Sequence, residues 1–402
     1  MLIVQKFGGS SVANAQKIKN VAAIIAEYFL AGNDMVVVLS AQGDTTDELL
    51  EKAAELNASP SKRELDMLLA TGEQQSIALM SMCLESMGLP VISLNGPQAG
   101  IQTDTIYGNA RIRRINAERV HRELDKKKIV IIAGFQGLNR YEDLTTLGRG
   151  GSDATAVALA AALHADRCQI YTDVEGVYTA DPRKVPGARK LKEITYDEML
   201  ELASMGAQVL MNRSVQLGKR YGVEIEVLSS LVRKEGTIVR EAVKKVEEMK
   251  ITGIAKDEKV ARVTVAGLPD SPGAAFKVFS TIARVGINVD VIVQNSARNG
   301  ENDITFTVAL ADVEKAQQAL EDRKGLIGFE SVVVDKNIAK VSVVGAGMMS
   351  SMNIAALVFE ALNDESINIQ MITTSEIKIS CIISKDEADR AVSSIHKKFF
   401  ET

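Results

Sequence analysis

The last third of the chain repeats itself, which limits the folds open to it. The segment ARVTVAG at 261–267 returns as AKVSVVG at 339–345, a spacing of 78 residues. Two later pairs keep the same order: GINVDVI at 286–292 with SINIQMI at 366–372, and DITFTVAL at 303–310 with EIKISCII at 376–383. Each copy has the hydrophobic pattern of a strand, a helix, two strands and a helix. The repeat therefore predicts two small α/β domains in tandem.

The two copies differ in their last strand. The first copy continues into a strand at Glu330–Asp335, whereas the second reaches Thr402 without one. A further strand pattern, KITGIAKD at 250–257, precedes the first copy, so we expect it to complete the second copy and interlock the two. The charged run from Glu241 indicates a linker. The expected boundaries are 1–240 for a first domain, 241–249 for the linker, 258–338 for the first copy, and 250–257 with 339–402 for the second.

Before the repeat, short apolar runs alternate with helical patterns. LIVQK at 2–6, MVVVL at 35–39 and KIVIIAGF at 128–135 have the continuous apolar character of strands buried on both faces. A helix pattern spans Val12–Leu30, and a hairpin-like pair of helices is expected within 61–87. The pattern predicts an α/β domain with a mainly parallel sheet.

Two glycine turns in this domain could hold anions. In TTLGRGGSDATA, at 145–156, Gly148, Gly150 and Gly151 leave backbone amides unshielded at the start of a helix, where the dipole attracts negative charge. The planar guanidinium of Arg149 can donate two hydrogen bonds to a carboxylate or phosphate. The other glycine turn, GGSS at 8–11, follows the strand that contains Lys6. Together with the next helix it could form a second binding site for phosphate. Ser152 and Asp153 occupy positions where they could simply cap the helix.

Other candidate residues follow strands or lie within the helical region. Ser40, Thr45 and Thr46 come after a buried strand, and the carboxyl ends of strands are where open α/β sheets bind ligands. Glu73 is either a solvated helix residue or the anion for a substrate ammonium group. The segment Thr172–Arg183 is rich in Asp, Gly, Tyr and Pro, which is typical of a long functional loop.

Composition excludes several classes of function. The net charge is −5, so the chain has no excess of cations to bind phosphate backbones. It has ten Phe, seven Tyr and no Trp, which leaves few aromatic side chains to stack on bases, so nucleic-acid binding is not expected. Neither a signal peptide nor an apolar run of membrane-spanning length is seen, so we expect a cytoplasmic protein without a membrane partner. The cysteines and histidines are scattered, which favours free thiols over a protein metal site. VVGAGMMSS at 343–351 resembles the start of a dinucleotide fingerprint, but its repeat partner lacks the glycines.

Five motifs in order resemble the aspartate kinase (aspartokinase) family in its monofunctional form. They are KFGGS at 6–10, SA at 40–41 with Thr46, TGE at 71–73, GRGGSD at 148–153, and YTD at 171–173 with YTADPR at 178–183. The resemblance covers essentially the whole chain. It implies an amino-acid-kinase three-layer fold followed by two interlocked ferredoxin-like (βαββαβ) ACT domains. It also implies ATP- and Mg²⁺-dependent phosphorylation of the β-carboxylate of L-aspartate to 4-phospho-L-aspartate, which opens lysine, methionine and threonine biosynthesis.

The same resemblance implies roles for individual residues. Lys6 and Asp153 are expected to be catalytic, with Lys6 neutralising the migrating phosphoryl group and Asp153 organising the site. Substrate contacts are expected from Ser40, Thr46, Glu73, Arg149, Gly151, Ser152 and Asp153. ATP contacts are expected from Lys6, Phe7, Gly8, Gly9, Thr172, Asp173, Tyr178, Asp181 and Arg183. Effector contacts in the ACT domains are expected from Asp270, Gly273, Ala275, Asn288, Asp290, Gln294, Ile354, Ala355, Asn368, Ile369 and Ser375.

Two segments depart from the family pattern. In GAQVLMNRS, Gln208 stands where the family has a lysine and Asn212 where it has a proline, which puts one ATP contact in doubt. MMSSMN at 348–353 departs from a run resembling Lys-Ser-His-Pro-Gly. Lysine, threonine or both could be the inhibitors, and the expected ACT-mediated homo-oligomer could be a dimer or a tetramer. A short regulatory subunit started near Met249 also stays open.

Two other functions compete with this interpretation. One is a kinase of the same fold acting on glutamate, N-acetylglutamate or a nucleoside monophosphate. The double ACT tail and the pair of Glu73 and Arg149 argue against it. The other is an amino-acid sensor with an inactive kinase domain, suggested only by Gln208. Retention of Lys6, Asp153 and the Thr172–Arg183 loop argues against that alternative.

Overall fold

The computed structural model describes residues 1–204, 209–242, 251–295, 300–350 and 353–401. Contacts divide them into two units. One comprises Met1–Tyr178, Lys190–Ser204 and residues 209–242, and the other comprises Thr179–Arg189 and the described residues from 251 onward. The chain therefore leaves the first unit after Tyr178 and rejoins it at Lys190, which a single boundary at 240 does not anticipate.

The first unit alternates strands with helices over most of its length. Its strands are β1 Leu2–Phe7, β2 Asp34–Leu39, β3 Val91–Leu94, β4 Ile101–Thr103, β5 Ile112–Ile115, β6 Ile129–Ala133, β7 Gln136–Leu138, β8 Leu144–Thr146, β9 Arg167–Thr172, β10 Glu193–Thr195, β11 Ile225–Ser229 and β12 Thr237–Arg240. Its helices are α1 Ala15–Leu30, α2 Thr45–Leu56, α3 Lys62–Ser86, α4 Glu118–Asp125, α5 Gly151–Leu163, α6 Tyr196–Ser204 and α7 Asn212–Tyr221.

The large sheet of this unit has the order β10-β12-β11-β9-β1-β2-β6-β3. Pairing is parallel from β11 to β3, and the sheet turns antiparallel between β11 and β12. Every residue of β6, and all of β2 except Asp34, is buried, as expected of strands covered on both faces. The predicted α/β fold with a mainly parallel sheet is confirmed.

Two local features differ from the sequence-based expectation. Residues 61–87 form one long helix, α3, rather than a hairpin-like pair, and Ser61 caps it by accepting a hydrogen bond from Glu64 N. Strands β4, β5, β7 and β8 form a separate small sheet in the order β5-β4-β7-β8. Strands of three or four residues are too short to give a clear hydrophobic period, so the sequence did not predict this sheet.

The second unit contains the repeat. Its strands are β13 Gly253–Asp257, β14 Val260–Pro269, β15 Ile292–Gln294, β16 Glu301–Ala309, β17 Ser331–Asp335, β18 Ile338–Val344, β19 Met371–Thr374 and β20 Lys378–Ser384. Its helices are α8 Ala274–Arg284, α9 Val313–Glu321, α10 Lys324–Ile327, α11 Ile354–Asp364 and α12 Ala388–Phe400.

The repeat copies form two sheets whose strands come from different parts of the chain. The first copy has the order β15-β16-β14-β17, and the second has β13-β18-β20-β19. Strand β13 precedes the first copy yet pairs antiparallel with β18, Gly253 lying opposite Val344. Both neighbours of β18 are antiparallel to it, whereas a dinucleotide fingerprint belongs to a parallel βαβ unit. The glycines after β18 therefore do not form such a site.

The excursion Thr179–Arg189 is an integral part of the second unit. Ala180 and Val185 are buried in the core of the second repeat copy. Ile254 N donates to Thr179 O at 2.7 Å, and the Thr179 hydroxyl lies 3.0 Å from Nε2 of buried His396. Within the described part of the chain, no helix has both the length and the apolar character needed to cross a bilayer.

Candidate active site

The candidate site begins at the carboxyl end of β1. Lys6 Nζ lies 2.5 Å from Oδ1 of Asp153, in the first turn of α5. Their side chains are only 12% and 10% exposed, so water screens the pair weakly. The structure thus brings together the two residues expected to be catalytic, and it places a cation and a carboxylate at one end of the sheet.

The glycine turn after β1 leaves space beside Lys6. A Cβ atom on Gly8 would lie 3.5 Å from Lys6 Nζ, and one on Gly9 would come within 2.5 Å of Ala41 O. Gly43 N donates to Gly9 O at 3.1 Å, which ties this turn to the loop after β2. Only glycine fits at position 9, so the backbone can approach a ligand closely here.

Helix α5 presents its amino end to the same region. Gly150 is its N-cap with φ of 71°, and a Cβ atom there would lie 2.3 Å from Met211 Cγ. Ser152 and Asp153 lie inside the first helical turn, and neither side chain caps the helix, so the capping interpretation is not supported. A Cβ atom on Gly134, just after β6, would lie 2.7 Å from Ser152 Oγ. The helix start therefore packs directly against the sheet edge.

Glu73 is a buried carboxylate with a spare oxygen. It lies in α3 and is 3% exposed. Ala41 N donates to Oε1 at 3.1 Å, whereas Oε2 is buried and has no hydrogen-bond partner among the described residues. Burial raises the pKa of Glu73 to about 7, and the hydrogen bond from Ala41 opposes this only in part. A buried oxygen left unpaired in this way suits a cationic ligand group.

The other predicted substrate residues occupy the same strand ends. Ser40 N donates to Phe7 O at 3.2 Å, directly after β2. Thr46 lies in the first turn of α2 rather than on the preceding loop, and it is half-buried. Arg149 is exposed, and among the described residues its guanidinium has no hydrogen-bond or ion-pair partner. It is thus available to a bound anion.

The predicted nucleotide residues are divided between the two units. In the first unit, Phe7 stacks on Tyr171 with ring centroids 4.5 Å apart, and the Thr172 hydroxyl donates to Asp173 at 3.0 Å. Burial raises the pKa of Tyr178, with Glu175 as a further cause. Two other predicted nucleotide residues lie in the excursion of the second unit. They are Asp181 and Arg183, whose side chains form an ion pair at 2.9 Å.

Two of the predicted effector residues meet at a cavity of about 340 Å³ in the second unit. It is lined by Asp290, Val291, Ile292, Lys340, Thr373, Thr374, Ser375, Lys378 and Ser380. Lys340 is 3% exposed and contacts Asp290 across the two copies. Sequence reasoning named Asp290 and Ser375 but missed Lys340, because a lysine in a strand is usually solvated.

The remaining predicted effector residues lie outside the residues that line this cavity. Gly273 and Ala275 are at the start of α8, and Ile354 and Ala355 begin α11. Asp270 accepts a hydrogen bond from Asn302 at 3.2 Å. Asn288, Gln294 and Asn368 are exposed, and Ile369 packs against the core of the second copy.

Sequence reasoning also missed two charged residues that bind the loop between β8 and α5. Buried Asp66 accepts hydrogen bonds from Thr146, and Arg213 donates to Leu147 O. These contacts join residues 80 and 66 positions apart, so no local pattern reveals them. Gln208, one of the departures from the family pattern, lies outside the described residues. Asn212 begins α7 and donates to Ser204 Oγ at 2.8 Å.

Family models identify the class of both parts of the chain. The model of the amino acid kinase family matches residues 1–229, and a model of the ACT domain matches residues 263–323 and 341–399. The chain is therefore an amino acid kinase joined to a repeated ACT domain, and its mainly parallel sheet and internal repeat agree with this.

Individual relatives narrow the class. Aspartokinase from Mycolicibacterium smegmatis is 50% identical over 99% of this chain and 96% of its own length, and aspartokinase from Bacillus sp. (strain MGA3) is 48% identical over 99% and 97%. The crystal structure of E. coli aspartokinase III in complex with aspartate and ADP superposes with a TM-score of 0.83 at 26% identity, covering all of both chains. The chain belongs to the aspartokinase family and is a kinase.

Proposed function

We propose that this kinase transfers the γ-phosphoryl group of ATP to the β-carboxylate of L-aspartate, giving 4-phospho-L-aspartate for lysine, methionine and threonine biosynthesis in the cytoplasm. The observation that carries the proposal is Glu73, whose buried Oε2 has no hydrogen-bond partner in the part of the chain that the structure describes. It lies in the same unit as the Lys6–Asp153 pair. A substrate with one ammonium group and two carboxylates matches these charges. The relative from E. coli was crystallised with aspartate and ADP.

Each residue has a role that follows from its chemistry. Glu73 would accept the substrate ammonium group, and the exposed fork of Arg149 would hold the α-carboxylate. The β-carboxylate is already ionised near pH 7, so the attacking oxygen needs no general base. Its lone pair forms the new bond to phosphorus while the bond from phosphorus to the bridging oxygen breaks and leaves ADP. Asp153 holds the ammonium group of Lys6 in place.

Lys6 is the residue we assign to the transferred group. Negative charge builds on the phosphoryl oxygens in the transition state, and a fixed cation in a weakly screened site stabilises that charge. The amides of the Gly8–Gly9 turn and of the amino end of α5 add backbone dipoles to the same site. ATP would contact Phe7, Gly9, Thr172, Asp173 and Tyr178 in this unit.

Mg²⁺ would arrive with the nucleotide. Magnesium is commonly held by substrate phosphates, water and one or two carboxylates. The donor set fits, because Asp153 has a second carboxylate oxygen beside the one that contacts Lys6. When bound, the ion neutralises phosphate charge.

A substrate panel tests the proposal. ADP release would be measured with L-aspartate, L-glutamate, N-acetyl-L-glutamate and a nucleoside monophosphate. We expect kcat/KM for L-aspartate to exceed that for N-acetyl-L-glutamate or a nucleoside monophosphate by about a hundredfold or more, because both lack the ammonium group that would pair with Glu73. It should exceed that for L-glutamate by about tenfold or more, because one extra methylene displaces the reacting carboxylate. Preference for another acceptor would overturn the assignment. Absence of turnover with every acceptor would favour an amino-acid sensor with an inactive kinase domain.

We further propose that lysine or threonine binds the cavity at Asp290 and Lys340 and inhibits the kinase. A lysine and an aspartate beside several hydroxyl groups complement the carboxylate and ammonium of a free amino acid. A structure of E. coli aspartokinase III contains lysine and aspartate, in its T-state. Assembly through the ACT domains, with or without a short regulatory subunit, is part of the same proposal.

A further inference from the structure

The loop that carries Arg149 into helix α5 is held by two charged residues from distant elements. Asp66 of α3 is 1% exposed. Its Oδ2 accepts hydrogen bonds from the amides of Gly108 and Thr146, both at 2.9 Å, and its Oδ1 accepts one from the Thr146 hydroxyl at 2.7 Å. Three donors on one buried carboxylate compensate its loss of water.

Arg213 binds the same two stretches of backbone by their carbonyl groups. From the first turn of α7, it donates from Nη1 to Leu147 O at 2.6 Å and from Nη2 to Ala110 O at 2.7 Å. Ala110 N also donates to Thr146 O at 2.9 Å. The Asp66 carboxylate thus accepts hydrogen bonds from backbone amides of segments 108–110 and 146–147, and the Arg213 guanidinium donates to carbonyl groups of the same two segments.

The geometry of Gly148 shows why this support matters. Gly148 has φ of 74°, and a Cβ atom there would lie 3.0 Å from Asn109 Oδ1 and 3.1 Å from Gly108 O. The chain therefore makes a left-handed turn tightly against segment 108–110, immediately before Arg149. Any shift of that segment moves the turn, because the two are packed without a gap.

We propose that Asp66 and Arg213 are positioning residues that fix segment 146–151, and through it Arg149 and the amino end of α5, in the orientation needed for substrate binding. For its kinetic consequence this inference rests on the function proposed above. Both side chains bond to the loop and to segment 108–110, and neither is among the residues assigned above to the substrates. Their effect is to hold the guanidinium of Arg149 in its binding orientation. This matters because even a small displacement of a group that positions the substrate strongly lowers the reaction rate.

Hydrogen–deuterium exchange tests the positioning itself, independently of the substrate. In Arg213→Met and Asp66→Asn, we expect the amides of Leu147 and Gly151, which donate to Phe135 O and Gly148 O, to exchange at least about tenfold faster than in the wild type, because the segment opens locally. Exchange in α1 should stay unchanged. Lys219→Met is the matched control, since Lys219 is a cation on the same helix that contacts Asp197 instead. If Asp66→Asn does not fold, Arg213→Met decides alone.

A double-mutant cycle tests the link to Arg149. We expect Arg213→Met to raise KM for L-aspartate about tenfold and to leave KM for ATP within about twofold. Arg213→Lys should recover part of the loss. In an Arg149→Ala background, Arg213→Met should add little, because the group it positions is gone.

Additive effects in the cycle, or unchanged exchange at Leu147 and Gly151, would overturn the inference. Faster exchange in the two variants, together with a wild-type enzyme that does not use L-aspartate, would overturn only the proposed function.

Discussion

Each unit contains a lysine on a buried strand whose ammonium group contacts an aspartate of the same unit, yet the two pairs differ in exposure. In the kinase unit, Lys6 and Asp153 are both nearly buried. In the ACT unit, the Lys340 side chain is 4% exposed whereas that of Asp290 is 47% exposed. Both side chains of the Lys6–Asp153 pair are shielded from solvent, whereas in the Lys340–Asp290 pair the aspartate is exposed to solvent.

The difference suggests what each pair can do. Breaking a pair that is buried on both sides leaves an uncompensated charge, so Lys6 and Asp153 are held in fixed positions. Asp290 can turn to water when another anion approaches Lys340, because nearly half of its side chain already contacts solvent. A fixed cation suits stabilisation of a transition state, and a cation with a replaceable partner suits recognition of a ligand.

Lys6→Ala should give the largest effect. Removal of the cation that we assign to the transferring phosphoryl group should lower kcat by about a hundredfold or more while L-aspartate still binds, because the charge would act mainly in the transition state. Steady-state kinetics and calorimetric titration with L-aspartate would measure the two parts. A fall in kcat below about tenfold, or roughly 1.4 kcal/mol, would remove Lys6 from that role.

Arg149→Lys probes the same site without removing charge. Lysine keeps the positive charge but loses the planar fork, so KM for L-aspartate should rise by about tenfold or more while kcat changes less. Initial rates over a range of L-aspartate concentrations at saturating ATP would measure this. The exposed Arg140, which stacks on Tyr141, offers a matched control in Arg140→Lys. An unchanged KM in Arg149→Lys would place the substrate carboxylate elsewhere.

Much of this molecule could be predicted from the sequence because its patterns are local. Glycines after apolar strands indicated the turn at Gly8–Gly9 and the start of α5, since those positions need backbone that only glycine permits. The repeat indicated two small α/β domains, the family resemblance implied that they are ACT domains, and the ACT model matches both copies. The contact between Lys6 and Asp153 follows from the fold, because strand ends and helix starts meet at one sheet edge.

What the sequence could not indicate depends on contacts between distant residues. Asp66 and Arg213 look like ordinary charged helix residues, and only the folded chain brings them to the same loop. Lys340 looks like a solvated strand residue until its copy packs beside Asp290. The excursion Thr179–Arg189 also has no marker of its own, since Ala180 and Val185 are apolar residues that either unit could bury. The roles of individual site residues stay predictions.

The pH dependence of substrate binding tests Glu73. Its pKa of about 7 lies above the ordinary glutamate value of 4.5, so the folded protein keeps this proton to higher pH than the unfolded chain. The resulting stability is present below pH 4.5 and is lost as pH rises to about 7. An ammonium group needs the carboxylate, so KM for L-aspartate should fall about tenfold from pH 6 to 8. Glu73→Gln should flatten that profile, whereas Glu64→Gln on the same helix should retain it.

Lys340→Met should have the smallest effect on the uninhibited enzyme. Methionine has a similar length and fills the buried space, and Asp290 is left partly in water, so the fold should persist. Inhibition by lysine or threonine should be lost while uninhibited kcat stays within about twofold, because coupling between separate sites is typically 1–3 kcal/mol. Inhibition curves for each amino acid, alone and together, would measure this. Lys256→Met is the matched control, since Lys256 pairs with Asp389 away from the cavity. An unchanged inhibition curve in Lys340→Met would show that the effector binds elsewhere and that the contact between Lys340 and Asp290 serves only to join the two copies.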